Sequence, residues 1–168
     1  LAALCQPNFD AFDTAPRVTL SAQMGMVSYS DDHDTYLTAA FPKRDIPNTL
    51  GAWVAHHGKR QFRLAETEKY PHVTFFMNGG LEVPAAGEDR FMPSSPKVAT
   101  YDMQPEMSAA EVTKRFVAAI EQGYDLIITN YANPDMVGHT GDLAAAIAAC
   151  EAVDHGLGQV VEALERCG

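Results

Sequence analysis

The chain has 168 residues, of which 46% are hydrophobic and 20% charged, with a net charge of −10. These proportions indicate a globular protein with enough apolar residues for one domain or parts of two. The acidic balance argues against nonspecific binding to nucleic acid or to anionic membrane surfaces, no apolar run is long enough to span a bilayer, and no signal peptide is visible. An anionic substrate stays open, because a local metal ion or lysine can reverse the field. Cys5, Cys150 and Cys167 show no metal-ligand spacing and read as reduced, intracellular thiols.

Residues 1 to about 40 are weakly patterned. Leu1–Cys5 resembles the end of a helix stopped near Pro7. Phe9 and Phe12 read as packing residues in a turn-rich segment. Val18–Leu20 and Met24–Tyr29 are candidate strands. Asp31-Asp32-His33-Asp34 has metal-ligand residue types, but no further ligand pattern supports it, and a solvated acidic loop is expected. Phe41–Pro47, with two prolines and three charges, reads as a connector.

Asn48 is placed to cap a helix over 49–57 that stops at Gly58. Its stripe of Leu50, Trp53 and Val54 puts Trp53 in the core. Gln61–Ala65 is a short strand that delivers Glu66-Thr67-Glu68-Lys69 to a strand end. Glu66 and Glu68 either orient Lys69 or face water. Pro71 starts a helix over 72–77, ended by Asn78-Gly79-Gly80, with Phe75 and Phe76 inward.

Residues 81–96 read as loop, with Gly87-Glu88-Asp89-Arg90 an ion-paired turn and 97–100 a short extended segment or strand. Ser108-Ala109-Ala110-Glu111 matches a capping box. The helix it opens runs to about Gln122, with Val112, Phe116 and Ile120 inward and Gly123 as its stop. The last helix is capped by Asp142. Its expected inward stripe is Leu143, Ile147, Cys150, Leu157, Val161 and Leu164. Asp154 and His155 go to its surface, and Gly156 and Gly158 weaken it by about 1 kcal/mol each relative to Ala.

Between these helices, Tyr124–Thr129 is an apolar run bounded by turn residues, the pattern of a buried parallel strand. It is followed by Asn130-Tyr131-Ala132-Asn133-Pro134-Asp135-Met136-Val137-Gly138-His139-Thr140-Gly141. In open α/β sheets ligands bind outside the carboxyl ends of the strands. Pro134 suits the first turn of a short helix, and residues four apart on such a turn share a face. Asp135 and His139 are therefore candidate ligands of one metal ion. A carboxylate with an imidazole suits zinc or manganese better than calcium. On spacing alone, a capping Asp beside an exposed or core-satisfied His is the more common arrangement.

The wording of residues 130–141 closely resembles a signature of the cofactor-independent (2,3-bisphosphoglycerate-independent) phosphoglycerate mutases. Glu66–Phe76, Gly87–Arg90, Ser95–Asp102 and Gln104–Ser108 match that family as well, in its order and at nearly its spacing. The resemblance implies an α/β fold: a parallel-sheet, alkaline-phosphatase-like metal-binding domain, present in part over 43–168, preceded over 1–42 by the end of a phosphotransferase-type domain. It implies interconversion of 3- and 2-phosphoglycerate through a metal-assisted phosphoserine, with two manganese ions in the complete enzyme. Asp135 and His139 then look like two ligands of one ion, and Lys69 like the lysine that contacts the transferred phosphate. The family's nucleophilic serine and its other ligands fall outside these residues, so the chain looks like an internal portion of a longer, cytoplasmic enzyme that is monomeric when complete. Two other readings stay open: another alkaline-phosphatase-like phosphomutase or phosphatase, and a segment with no activity of its own.

Overall fold

The computed structural model describes residues 1–168. The chain divides into two compact units, Leu1–Asp45 and Ile46–Gly168. The boundary lies inside the Pro-rich, charged connector.

The first unit holds α1 (Ala2–Cys5), β1 (Met24–Val27), α2 (Asp31–Asp34) and β2 (Thr38–Phe41). β1 and β2 pair in parallel, with Met24 opposite Thr38. The acidic run at 31–34 is a helical turn rather than a loop. Ser30 caps it by accepting the His33 N–H, and three aspartates sit where the amino end of a helix favours negative charge. Val18–Leu20 forms no strand. Phe9 and Phe12 meet edge to face, with ring centroids 4.9 Å apart.

The second unit is built on a three-stranded parallel sheet of order β4-β3-β5, formed by β3 (Gln61–Ala65), β4 (Glu88–Phe91) and β5 (Leu126–Asn130). α3 (Leu50–His56) and α4 (Tyr70–Val73) flank the central strand β3 in sequence, while α5 (Ala109–Glu121), α6 (Asn133–Gly138) and α7 (Leu143–Cys167) bracket β5. Met107, Ala132, Val137, Ala145 and Ala149 form one apolar cluster, and Ile120, Val160 and Ala163 another.

β4 is a strand where a turn was expected. Glu88 and Arg90, two residues apart, point to one face of the pleat. They form an ion pair of 2.6 Å there, beside the paired β3 residues Gln61 and Arg63. That face is polar and buried. Arg63 and Gln61 are fully buried; the guanidinium donates to Gln61 Oε1 at 2.6 Å, and Gln61 Nε2 donates to the Gly51 carbonyl at 2.9 Å. Asn78 donates to Glu88 at 2.9 Å. Burial pulls Arg63 below its ordinary pKa, with the Glu88 charge opposing. No alternation of apolar residues marks β4, which is why its sequence reads as loop.

Three local expectations around α3 and α4 differ from the structure. Trp53 is 52% exposed, because α3 turns Gly51 toward the sheet and leaves the larger side chains outward; the indole stacks on His56. α3 is capped by Thr49, whose hydroxyl accepts from Ala52 N–H, and not by Asn48. Phe76 is exposed and Phe75 half-buried.

α7 buries its opposite face. Ala145, Ala149, Gly156, Val160 and Ala163 point inward, while Leu143, Ile147, Cys150, Leu157, Val161 and Leu164 are exposed. Small residues let α7 approach α5 closely, and Gly156 sits where a Cβ would lie 2.6 Å from Thr113 Oγ1. The helix runs unbroken through both glycines. Asp142 caps it as expected, accepting from Ala145 N–H at 2.8 Å. No helix is long and apolar enough to cross a membrane.

Candidate active site

Register assembles the site. Ala65, the last residue of β3, is paired with Asn130, the last residue of β5. The chain leaving each strand therefore emerges side by side at the carboxyl edge of the sheet. From β3 comes a tight turn in which Lys69 N–H donates to the Glu66 carbonyl at 2.9 Å. From β5 comes α6, opened by Pro134, with Asp135 in its first turn. Asn133 anchors that turn: it is fully buried, and its Nδ2 donates to the Pro105 carbonyl at 2.9 Å.

Lys69, Asp135 and His139, expected at separate strand ends, meet in one cluster. Lys69 Nζ forms a short ion pair with Asp135 Oδ2, and His139 Nε2 lies 3.4 Å from Asp135 Oδ1. His139 follows α6 directly, its N–H donating to the Asp135 carbonyl at 3.1 Å. The Lys69 side chain is 14% exposed, and those of Asp135 and His139 are 51% and 75% exposed. A buried stem thus presents an ammonium to an open carboxylate and imidazole. The Lys69 hydrogen bond, reinforced by the charges of Lys69, His139 and His72, holds the Asp135 carboxyl below its ordinary pKa. The carboxylate is ionised at neutral pH, as a hard metal ligand must be.

The donor set fits two corners of a metal site. Asp135 Oδ1 and His139 Nε2, 3.4 Å apart, are an oxygen and a nitrogen donor close enough for one ion to be held between them. Oδ1 faces the imidazole while Oδ2 faces the ammonium, so one carboxylate can serve an ion and a lysine at once. No group of three or more His, Cys, Asp or Glu residues in the chain is arranged to hold an ion. His155 lies elsewhere, on α7, with its ring beside Gln159.

Glu66 and Glu68 do not touch the Lys69 ammonium. Glu66 is fully buried, with Oε1 accepting the Ser108 N–H at 3.3 Å and Oε2 without a partner. Burial pushes its carboxyl above the ordinary pKa, against hydrogen bonds from Ser95 and Ser108. Its contact with Ser108 replaces the expected capping box: Glu66, from another element, takes the N–H that Glu111 would have reached. The Ser108 hydroxyl donates instead to Ser94 O at 2.8 Å. Glu68 accepts from Tyr101 Oη at 2.7 Å. Tyr101 carried no signal in the sequence beyond its place in one of the matching blocks.

The chain is similar to known metalloenzymes over nearly its whole length. A model described as the metalloenzyme superfamily matches residues 8–168. The chain is 73% identical over its full length to a 2,3-bisphosphoglycerate-independent phosphoglycerate mutase of Ruegeria pomeroyi, and 70% identical to one of Agrobacterium fabrum. It covers 33% of each of those proteins, so it spans about a third of the length of the curated relatives it matches. A crystal structure of Leishmania mexicana phosphoglycerate mutase at low cobalt concentration superposes with a TM-score of 0.74 at 29% identity, over 96% of this chain and 30% of that one. With the family match running from the first unit to the last helix, the chain belongs to the metalloenzyme superfamily.

Proposed function

We propose that this chain is the part of a 2,3-bisphosphoglycerate-independent phosphoglycerate mutase that carries one half of a metal site and the phosphate-facing lysine. In the complete protein the reaction is interconversion of 3- and 2-phosphoglycerate through a phosphoserine whose serine lies outside these 168 residues. The observation that carries this reading is the meeting of Lys69, Asp135 and His139 at the carboxyl ends of β3 and β5. The relatives and the structural neighbour bear phosphoglycerate mutase names, which supports the same substrate class.

Asp135 Oδ1 and His139 Nε2 would hold one ion, manganese being the best match to a mixed oxygen and nitrogen set beside a phosphate. Bound metal supplies Lewis acidity, lowering the pKa of a nucleophilic hydroxyl and drawing charge from phosphate oxygens. Lys69 does the rest from this chain. Its stem is walled in, so the ammonium is aimed rather than free. It is placed to neutralise charge on the transferring phosphoryl oxygens, where a positioned cation stabilises developing charge. In this structure the ammonium pairs with Asp135 Oδ2. We further assign the complete enzyme to the cytoplasm, as a monomer, and residues 1–42 and 43–168 to the phosphotransferase-type and phosphatase-like domains.

The segment alone has no complete metal shell, since no third ligand joins Asp135 and His139. It is therefore read as inactive by itself. The test of the proposed activity is phosphoglycerate interconversion by the complete protein carrying this segment. Replacing Lys69 by Ala is expected to lower kcat by about a hundredfold or more. Turnover of sugar phosphates in preference to phosphoglycerates, or an unchanged kcat in the Lys69→Ala protein, contradicts the proposal.

A further inference from the structure

Four consecutive residues carry Lys69 out of β3, and each is tied to one irregular segment, residues 93–108, or to a turn that segment braces. Thr67 N–H donates to the Pro93 carbonyl at 3.2 Å, and Ser95 N–H returns a bond to Thr67 Oγ1 at 3.2 Å. Glu68 N–H points to Ser95 Oγ at 3.4 Å, and its carboxylate takes the Tyr101 hydroxyl at 2.7 Å. The buried Glu66 carboxylate takes the Ser108 N–H, while its carbonyl closes the turn by accepting Lys69 N–H. The braces thus come from main chain and side chain, and from both ends of the segment. At the end of the turn, the Lys69 side chain itself bonds to Asp135.

Such a frame exceeds what a four-residue turn needs in order to exist. A lysine has several rotatable bonds and loses about 2 kcal/mol of rotamer freedom when fixed. A site that needs its ammonium in one place gains by fixing the backbone beneath it. Tyr101 is the outermost brace. It is half-buried, its hydroxyl has a charged partner, and that partner's carboxylate pushes the phenol above its ordinary pKa. Its ring also packs against the cluster of Met107, Ala132 and Val137 that seats α6. One side chain therefore touches both halves of the site: the turn below Lys69 and the core below Asp135.

We propose that Tyr101 and Glu66 are positioning residues, which lock the Glu66–Lys69 turn to residues 93–108 and so set where the Lys69 ammonium sits relative to Asp135. The inference rests on the reading of Lys69 as the phosphate contact, and goes beyond it by assigning how that contact is aimed. A hydrogen bond between a tyrosine and a carboxylate provides the matched control. Tyr124 Oη donates to Asp89 Oδ2 at 2.6 Å on the same sheet, but beside the amino end of β5.

The experiment uses Tyr101→Phe and Tyr124→Phe, each losing one hydroxyl, with Glu66→Leu as a second perturbation that keeps bulk but cannot accept the Ser108 N–H. In the 168-residue chain, nuclear Overhauser contacts between the Lys69 ε-methylene and the Asp135 side chain are read directly. The inference expects these contacts to weaken in Tyr101→Phe and Glu66→Leu and to persist in Tyr124→Phe. Equal contacts in parent and Tyr101→Phe, or equal loss in both tyrosine variants, overturns it. In the complete protein, Tyr101→Phe is expected to lower kcat roughly tenfold, the scale of a lost bond to a charged group. The drop should vanish in a Lys69→Ala background, because the effect runs through Lys69. If it persists there undiminished, Tyr101 is only structural and the inference fails. If instead Lys69→Ala leaves turnover intact while the Overhauser contacts behave as expected, the phosphate role of Lys69 fails and the positioning stands.

Discussion

Gly156→Ala and Gly158→Ala, two residues apart on α7, should change stability in opposite directions. In an exposed helix interior, Ala is better than Gly by about 1 kcal/mol, because the backbone loses less freedom on folding. Gly158 has nothing within 4 Å of an added Cβ, so only that gain applies. Gly156 is buried against α5, where the new Cβ would lie 2.6 Å from Thr113 Oγ1 and 3.2 Å from Tyr131 Oη. Thr113 cannot yield cheaply. Its side chain is β-branched and buried, donates to the Ala109 carbonyl at 2.8 Å, and lies 2.6 Å from the Tyr131 hydroxyl. Overpacking of this kind costs about 1–3 kcal/mol, and breaking the Thr113–Tyr131 bond adds about 1 kcal/mol. Against the helix gain, the net expectation is a loss of about 1–3 kcal/mol for Gly156→Ala. Urea unfolding followed by circular dichroism at the helix band measures both variants. In thermal melts each kcal/mol corresponds to roughly 2–4 °C for a chain of this size. A Gly156→Ala protein as stable as Gly158→Ala would show that α7 does not approach α5 as closely as described.

Acid stability should depend on Glu88. Burial alone would raise its pKa, but Ala85 N–H, Asn78 and Arg90 stabilise the anion and hold it below the ordinary value. A carboxyl with a depressed folded pKa contributes stability that is complete above its unfolded value of about 4.3 and is lost as pH falls through the folded value. Glu88→Gln should therefore be less stable than the parent at pH 7 and lose less on acidification, as measured by urea midpoints across that range; parallel curves for the two proteins would count against the network. The 168-residue chain by itself should show no measurable phosphoglycerate interconversion with manganese supplied, and robust turnover by pure material would refute the reading of an incomplete metal shell.

The site was more legible in the sequence than the packing around it. Pro134 opening a short helix after the apolar run at 124–129 places Asp135 and His139 on one face, and local spacing is enough to say so. Lys69 was found through its block of neighbours, and only the β3–β5 register explains why it reaches Asp135. Strand β4 is not visible in the sequence because its inward residues, Glu88 and Arg90, are charged, bonded to each other and, for Glu88, to Asn78 and Ala85 N–H. Hydrophobic periodicity cannot register a buried ionic face. The α7 stripe failed for a related reason. Leucine and valine at helical spacing look like a core, but the helix spends its small residues on closeness to α5 and leaves its larger ones outside. Trp53 repeats the pattern on α3, where Gly51 takes the inward position over Arg63 and Asn78. The Ser108 capping box had the right letters, and the buried Glu66 from the end of β3 took the bond first.

The most direct test of the central claim is an anomalous-scattering map of the complete protein crystallised with manganese. The account predicts a manganese peak within bonding distance of both the Asp135 carboxylate and His139 Nε2, with Lys69 on the neighbouring phosphate or on Asp135. A manganese peak bonded to neither side chain, in a crystal where the rest of the fold is as described, would contradict it.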